Sequence, residues 1–523
     1  ETQLGPRLYN FKGCYVLKFS RPFSQYGTWN EDRVSKMQSK EEGAHVGGYI
    51  EFEPGTEVVE VRIGSSFIDF EQASENLEKE IPTSVSFEQT KKKVKAVWKS
   101  NLDKIQIKGA TDDDATVFYT AFFRTMQYPR EFSEYGRYYS PFDDKIHKGI
   151  SYNAYSLWDT FRAQHPWLQL TQSQRVDDMI TALIQMYNEG GWLPKWPNPS
   201  YTNIMIGTHA DAVIADAYVN GFRNYDVEKA YEAIRKDAFQ APRDDYRWGD
   251  RHYWNGSYEA RGGLKEYLDL GYVAADKTTE SVSRTLEFAM DDYCVAQMAK
   301  KLGHEEDYHI LMKRSRNYLN LYNPQTGFFQ ARHSNGSWAD IEEGFTEGGR
   351  WTYRFCVMQN IPDLIHLLGG EDVFCKELDK NFDEGHYRHD NEPGHHFAYL
   401  YDCCGKLDKV QNRIPMIIKQ HYKNKPDGLS GNDDCGQMSA WYLFSSLGFY
   451  PLTPASGEYA LGIPHFKEII LQLRDGKKLL IKAPELNKKD YLLRVYWNGK
   501  LLEKPFISIQ DIFKGGVLEF CSE

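Results

Sequence analysis

The chain has no run of 18 consecutive apolar residues, so nothing in it reads as a membrane-spanning helix. It has no basic stripe and no Lys/Arg cluster of note, and its net charge of −11 argues against a nucleic-acid partner. Lys91 to Lys93 reads as a solvated face. Its eight cysteines have no zinc spacing, since the adjacent Cys403 and Cys404 cannot act as a C-x-x-C pair. Cys294 and Cys356 read as buried free thiols inside helices. No signal peptide is legible at Glu1, and the expectation is a mature or processed chain. What is present is a globular composition, 41% hydrophobic and 26% charged, over 523 residues, which implies two or three domains.

Residues 1–64 read as strands, notably Cys14 to Phe19 and Val58 to Ile63, with Gly-rich turns between. Three or four strands cannot bury both faces of a sandwich. Helical periodicity begins near Phe67, with helices at Ala73 to Ile81 and Ala110 to Gln127. At least ten helical segments follow across 110–450. Three carry clear stripes: Val176 to Tyr187, closed by Gly190 and Gly191; Ala210 to Tyr218; and Val282 to Tyr293. Strands return over 464–523, at Ile469 to Leu473, Leu479 to Lys482 and Tyr491 to Trp497, the last before an Asn498-Gly499 hairpin signal. The fold class is multidomain α+β.

Two segments are poor core material. His389 to Leu400 reads H-D-N-E-P-G-H-H-F-A-Y-L, and Gly428 to Trp441 reads G-L-S-G-N-D-D-C-G-Q-M-S-A-W. Each mixes carboxylates, amides and imidazoles with glycine and aromatics, then runs into apolar helical sequence. Singly, D-D or N-E is a solvated turn. Together they could face one another across a pocket, as cleavage of a glycosidic bond requires. The 35 Tyr and 12 Trp suit the same reading, because sugar rings present C–H faces that stack on aromatic rings, although aromatics also fill cores. Asn255 and Asn335 head N-x-S glycosylation tripeptides.

These segments resemble glycoside hydrolase family 92, the calcium-dependent, inverting, exo-acting α-mannosidases. Tyr152 to Pro166, Gly190 to Asn198, Met205 to Tyr218, Ser281 to Tyr293 and Thr346 to Tyr353 agree with the family in order, over roughly residues 10 to 470. The resemblance implies that 1–64 is a β-sandwich portion incomplete at its N-terminus, its earlier strands removed or carried by a separate N-terminal chain or segment, and that 65–109 is a helical linker. It implies that 110–463 is an (α/α)6 toroid catalytic domain, that 464–523 is a small β-region packed on it, and that the setting is extracytoplasmic, secreted or periplasmic. It implies Glu347 (T-E-G-G-R-W) as general acid, with Arg350 or Trp351 tuning it. It implies Asp434 as general base, with Asp433 as the alternative, because adjacent side chains cannot aim at one water. Asn391 and Glu392 are the expected Ca2+ ligands. Trp158, Asp159, Trp192, His209 and Asp211 are expected to line the sugar pocket where loops enter helices, and His389 and Asp390 to meet the leaving sugar. The chain departs from the family's pattern at Gly349, where Asn is commoner, and at Arg354, where Trp is. The expected substrate is a mannose-containing glycan. A mannose-binding relative without turnover and a glycosidase for another sugar are the competing readings.

Overall fold

The computed structural model describes residues 10–202, 204–241, 260–486 and 494–522. The architecture is mixed helix and strand in several layers, a multidomain α+β fold. Asn255 lies outside the described residues. Asn335 is exposed in a tight turn, where its side chain accepts from the backbone N–H of Ser337 at 2.9 Å.

The N-terminal strands form two small antiparallel sheets. Cys14–Phe19 pairs with Val61–Ser66, and Gln25–Asn30 lies between Arg33–Lys36 and Val46–Glu51. Leu17 and Ile63, direct cross-strand partners, are 50% and 56% exposed, so one face of this pair is open. Helices Phe70–Glu80 and Phe87–Leu102 follow, each capped by a side chain, Asp69 and Ser86, that accepts from a first-turn N–H. No residue of the second is buried.

The stretch expected to be all-helical linker ends in a strand. Ile105–Lys108 pairs antiparallel with Glu468–Gln472 and forms the edge of a six-stranded sheet whose other members all come from residues 468–521. Inward residues alternate as a half-buried sheet requires: Ile105, Ile469, Leu471, Leu479, Ile481, Leu518 and Phe520 are all buried. A three-stranded sheet of Phe449–Tyr450, Glu458–Leu461 and Phe506–Ser508 extends this β-region back before residue 464. Of the strand read at 491–497, Arg494–Trp497 is described and residues 491–493 lie outside the described residues.

The helical body holds the core. The three stripes become Ser173–Gly190, Ala210–Val219 and Ser281–Leu302, and Gly191 closes the first in the left-handed conformation. Gln164–Thr171 and Gln437–Leu447 are buried on every side, the mark of inner helices. Gln437–Leu447 packs against both Gln164–Thr171 and Asp112–Thr125. Cys294 is buried in a helix as expected; Cys356, however, lies just past the short helix Arg350–Tyr353 rather than within one.

Candidate active site

Three carboxylates from distant parts of the chain converge at the ends of these inner elements. Asp159 sits in the short helix Leu157–Thr160, Glu392 opens the 3-10 turn Glu392–Gly394, and Asp434 lies just before Gln437–Leu447. One oxygen of each lies within 4.8 Å of the others. Asp159 and Glu392 are 3% and 2% exposed. The two acidic segments touch because residue 431 is glycine: a Cβ there would fall 2.4 Å from the carbonyl oxygen of Asp390. The loop then turns into its helix through three successive left-handed residues, Asp434, Cys435 and Gly436, at φ 41°, 57° and 97°. Glycine adopts this region freely, but the other two cost about 1–3 kcal/mol each, strain of a kind that collects at functional sites.

The neighbouring acid, Asp433, faces elsewhere. It accepts from the backbone N–H and hydroxyl of Ser439, at 2.9 and 2.7 Å, and so satisfies an otherwise unpaired donor of the helix's first turn. Gln437 joins the segments from behind: its Oε1 accepts from the N–H groups of Ala163 and Gln164 at 2.9 and 3.0 Å, and its Nε2 lies 3.2 Å from His395 Nδ1.

Glu347 is exposed and also left-handed, at φ 48°. Asn391 Nδ2 donates to its backbone oxygen and to its Oε2, both at 3.1 Å, tying it to the residue beside Glu392. The groups expected to tune it do not reach it. Arg350 pairs with Glu342 at 3.1 Å, and the Trp351 ring stacks on His386 with centroids 4.2 Å apart.

Burial pushes the Asp159 carboxyl up to about 8, the Asp434 charge adding to the effect, while the Ser156 hydroxyl and the Arg162 guanidinium oppose it. Burial, then the charges of Asp159 and Asp434, pushes Glu392 well above the ordinary carboxylate range. Burial and Glu347 raise Asp434, and a hydrogen bond with Glu392 counters them. Arg162 is the buried cation facing these acids; its Nε donates to the Trp158 carbonyl at 3.3 Å. Two buried acceptors here, Glu392 Oε1 and Asn391 Oδ1, have no hydrogen-bond partner. Three carboxylates, two of them buried, with unsatisfied acceptors beside them are the donor set of a hard divalent cation.

The remaining expected residues divide. Trp158 Nε1 donates to Glu287 Oε1 at 3.0 Å, Glu287 Oε2 lies 3.2 Å from His209 Nε2, and His209 Nδ1 lies 2.9 Å from Asp291. This chain runs from beside Asp159 into the core. Asp211 is at its inner end, fully buried against Arg261 at 3.1 Å, and not beside the three carboxylates. His389 is held in the core between the hydroxyls of Tyr387 and Tyr422, both at 2.8 Å, and burial lowers its pKa well below the usual imidazole value. Asp390 pairs with Arg388 at the surface. Trp192 follows the end of Ser173–Gly190 instead of preceding a helix, and its ring packs 4.3 Å from Lys236 Nζ. Sequence reasoning missed Arg162, Glu287 and Gln437. Arg162 and Gln437 stand inside segments already singled out, W-D-T-F-R and D-D-C-G-Q, but a charge or amide in a motif does not disclose its partner. A cavity of about 410 Å³ opens beside Trp98, Tyr128 and Arg175, and its lining includes none of the four acids.

Known proteins resemble this chain over most of its length. A curated relative, an "Uncharacterized secreted glycosidase" of Arthroderma benhamiae, is 29% identical over 90% of this chain, which spans 62% of that protein's length. The structure of a family GH92 inverting mannosidase from Bacteroides thetaiotaomicron VPI-5482 superposes with a TM-score of 0.93 at 31% identity, covering 100% of this chain and 74% of that one. A further family GH92 α-mannosidase from Bacteroides thetaiotaomicron, solved in complex with mannoimidazole, gives 0.88 at 31% identity over 99% of this chain and 71% of that one. The profile of the glycosyl hydrolase family 92 catalytic domain matches residues 72–522, and the chain belongs to that family.

Proposed function

We propose that the chain is an exo-acting α-mannosidase that removes terminal α-linked mannose from N-glycans, mannans or related glycoconjugates by one-step inversion. The observation that carries this reading is the convergence of Asp159, Glu392 and Asp434 within 4.8 Å, with Glu347 held beside them by Asn391. Glu347, exposed and flanked by glycine, donates the proton to the leaving oxygen. Asp434 accepts the proton of the attacking water, its carboxyl freed for the task because Asp433 does the capping. Asp159, Glu392 and Asn391 would hold a calcium ion, to which Asp434 is near enough to contribute. Chelation of ring hydroxyls is the chemistry that ion supplies when bound. Trp158, fixed through Glu287, forms the pocket wall beside Asp159. The mannoimidazole-bound relative supports a mannosyl ligand, and the relative described as secreted supports an extracytoplasmic location.

An (α/α)6 toroid goes with this reading: the fully buried helices Gln164–Thr171 and Gln437–Leu447 form part of the inner ring, whose entry loops carry the acids. The test is incubation with calcium and a panel of α-linked mannobioses, following the released sugar by NMR before it mutarotates. β-Mannose as first product, lost on exhaustive chelation and restored by calcium, is the expected result. α-Mannose first would mean retention and overturn the mechanism. Tight mannobiose binding without turnover would replace hydrolysis with a purely binding role.

A further inference from the structure

A second group of metal-ligating side chains lies away from these acids. Strands Arg137–Ser140 and Lys145–Lys148 form a hairpin, with Tyr138 opposite His147. Asp143 stands in its turn, and Glu189 in the last turn of helix Ser173–Gly190. His147 Nε2 is 3.1 and 3.0 Å from the two oxygens of Asp143, and one ligand atom from each of Asp143, His147 and Glu189 lies within 4.8 Å of the others. We propose that these three side chains form a zinc-class divalent-metal site that fastens the hairpin to the end of the helix.

The chemistry of the donors selects the ion. An imidazole nitrogen with two carboxylates suits a d-block dication, whereas calcium prefers oxygen alone. In a tetrahedron with arms of about 2.0–2.1 Å the ligands stand about 3.3 Å apart, close to the observed His147–Asp143 separation. Glu189, with a ligand atom within 4.8 Å of the other two, would move inward to complete three protein ligands and leave the fourth position to water. A supporting shell is in place: the hydroxyls of Tyr138 and Ser140 each donate to one oxygen of Glu189, fixing the carboxylate as ligating carboxylates are fixed in metal sites. The Tyr138 ring stacks on the His147 imidazole, with centroids 5.6 Å apart, and sets its plane. Glu189 also lies at the negative end of its helix, where a carboxylate gains most from a neighbouring cation. The cation at hand is Lys145, 3.5 Å from Asp143 and mostly exposed.

The test is zinc titration of the metal-stripped full chain in saturating calcium, so that the other acid cluster is occupied throughout. We expect one zinc per chain by elemental analysis, a higher unfolding temperature with zinc, and visible d–d bands when cobalt replaces it. His147→Ala and Asp143→Asn, each checked for a native circular dichroism spectrum, should weaken zinc binding by about tenfold or more and abolish the thermal shift. Asp159→Asn should leave zinc binding unchanged. Failure of the chain to retain zinc, or equal binding by wild type and both hairpin variants, overturns the proposal. If His147→Ala unfolds, Asp143→Asn alone decides it.

Discussion

Asp159 and Asp291 are equally hidden from water, at 3% and 0% exposed, yet their carboxyls shift in opposite directions. Burial acts to raise both. For Asp291 the His209 imidazolium at 2.9 Å and the Arg261 guanidinium reverse it, and the group is held below its ordinary value. Around it Arg261 reaches Asp292 at 2.6 Å and Asp211 at 3.1 Å, and Arg314 reaches Asp292 at 2.7 Å. At the far end of this network burial wins: with Asp237 beside it, Asp211 is pushed well above its ordinary value despite Arg261, and Asp237 rises to about 8. The pocket of Asp159, Glu392 and Asp434 has Arg162 as its buried cation, and all three acids rise. The same fold can thus neutralise buried acids with fixed cations, and at this pocket it does so incompletely. Buried pairs that are compensated hold structure; acids left short of positive charge are suited to receive it from an ion or to trade protons with a substrate.

The comparison is sharpened first by Asp434→Asn, which should lower turnover on the order of 10³-fold for mannobiosides and activated aryl mannosides alike, with Tm nearly unchanged. If that variant stays active while Asp433→Asn does not, the two acids have exchanged roles. Glu347→Gln should cost about 10²- to 10⁴-fold on mannobiosides and little on activated aryl mannosides; equal losses would remove it as the acid. Arg261→Met acts on the other region. Removing the buried guanidinium that bonds Asp211 and leaves Asp292 with Arg314 alone should destabilise the chain by about 3 kcal/mol, measured by denaturant melts, while the fraction that remains folded keeps its turnover number. A collapse of turnover per folded molecule would erase the distinction drawn here.

His209 gives a pH signature. Its pKa is raised from 6.5 to about 9, because Asp291 and Glu287 outweigh the effect of burial. The stability it contributes is therefore present in full below the unfolded pKa near 6.5 and lost as pH rises through about 9. The stability gap between wild type and His209→Gln, on the order of 3 kcal/mol at low pH, should close across that window. The smallest effect is Asp433→Ala, which should cost about 1 kcal/mol of stability through the lost cap and spare turnover.

Much of this was legible in the sequence. Periodicity located the three striped helices, and glycine marked the end of the first. The two acidic segments stood out because they could not be core. Less legible was which member of each segment faces the pocket: Asp433 and Asp434 differ only in that one finds Ser439 six residues on, a distance set by how the loop turns. Asp211 and His389 looked like pocket residues by position. Their partners, Arg261 from a separate segment and the hydroxyls of Tyr387 and Tyr422, turn them to the core. The strand Ile105–Lys108 is four residues long, and what defines it is a partner more than 360 positions away.

That strand bears on how the protein is made. Its backbone donors and acceptors on one edge wait for Glu468–Gln472, so the six-stranded sheet cannot assemble until synthesis has passed residue 521. Until then a short apolar edge, Ile105 and Ile107, stands beside the first helix of the helical body. A nascent chain halted before residue 468 would already hold Asp159, Glu347, Glu392 and Asp434, yet lack the strand that closes this edge.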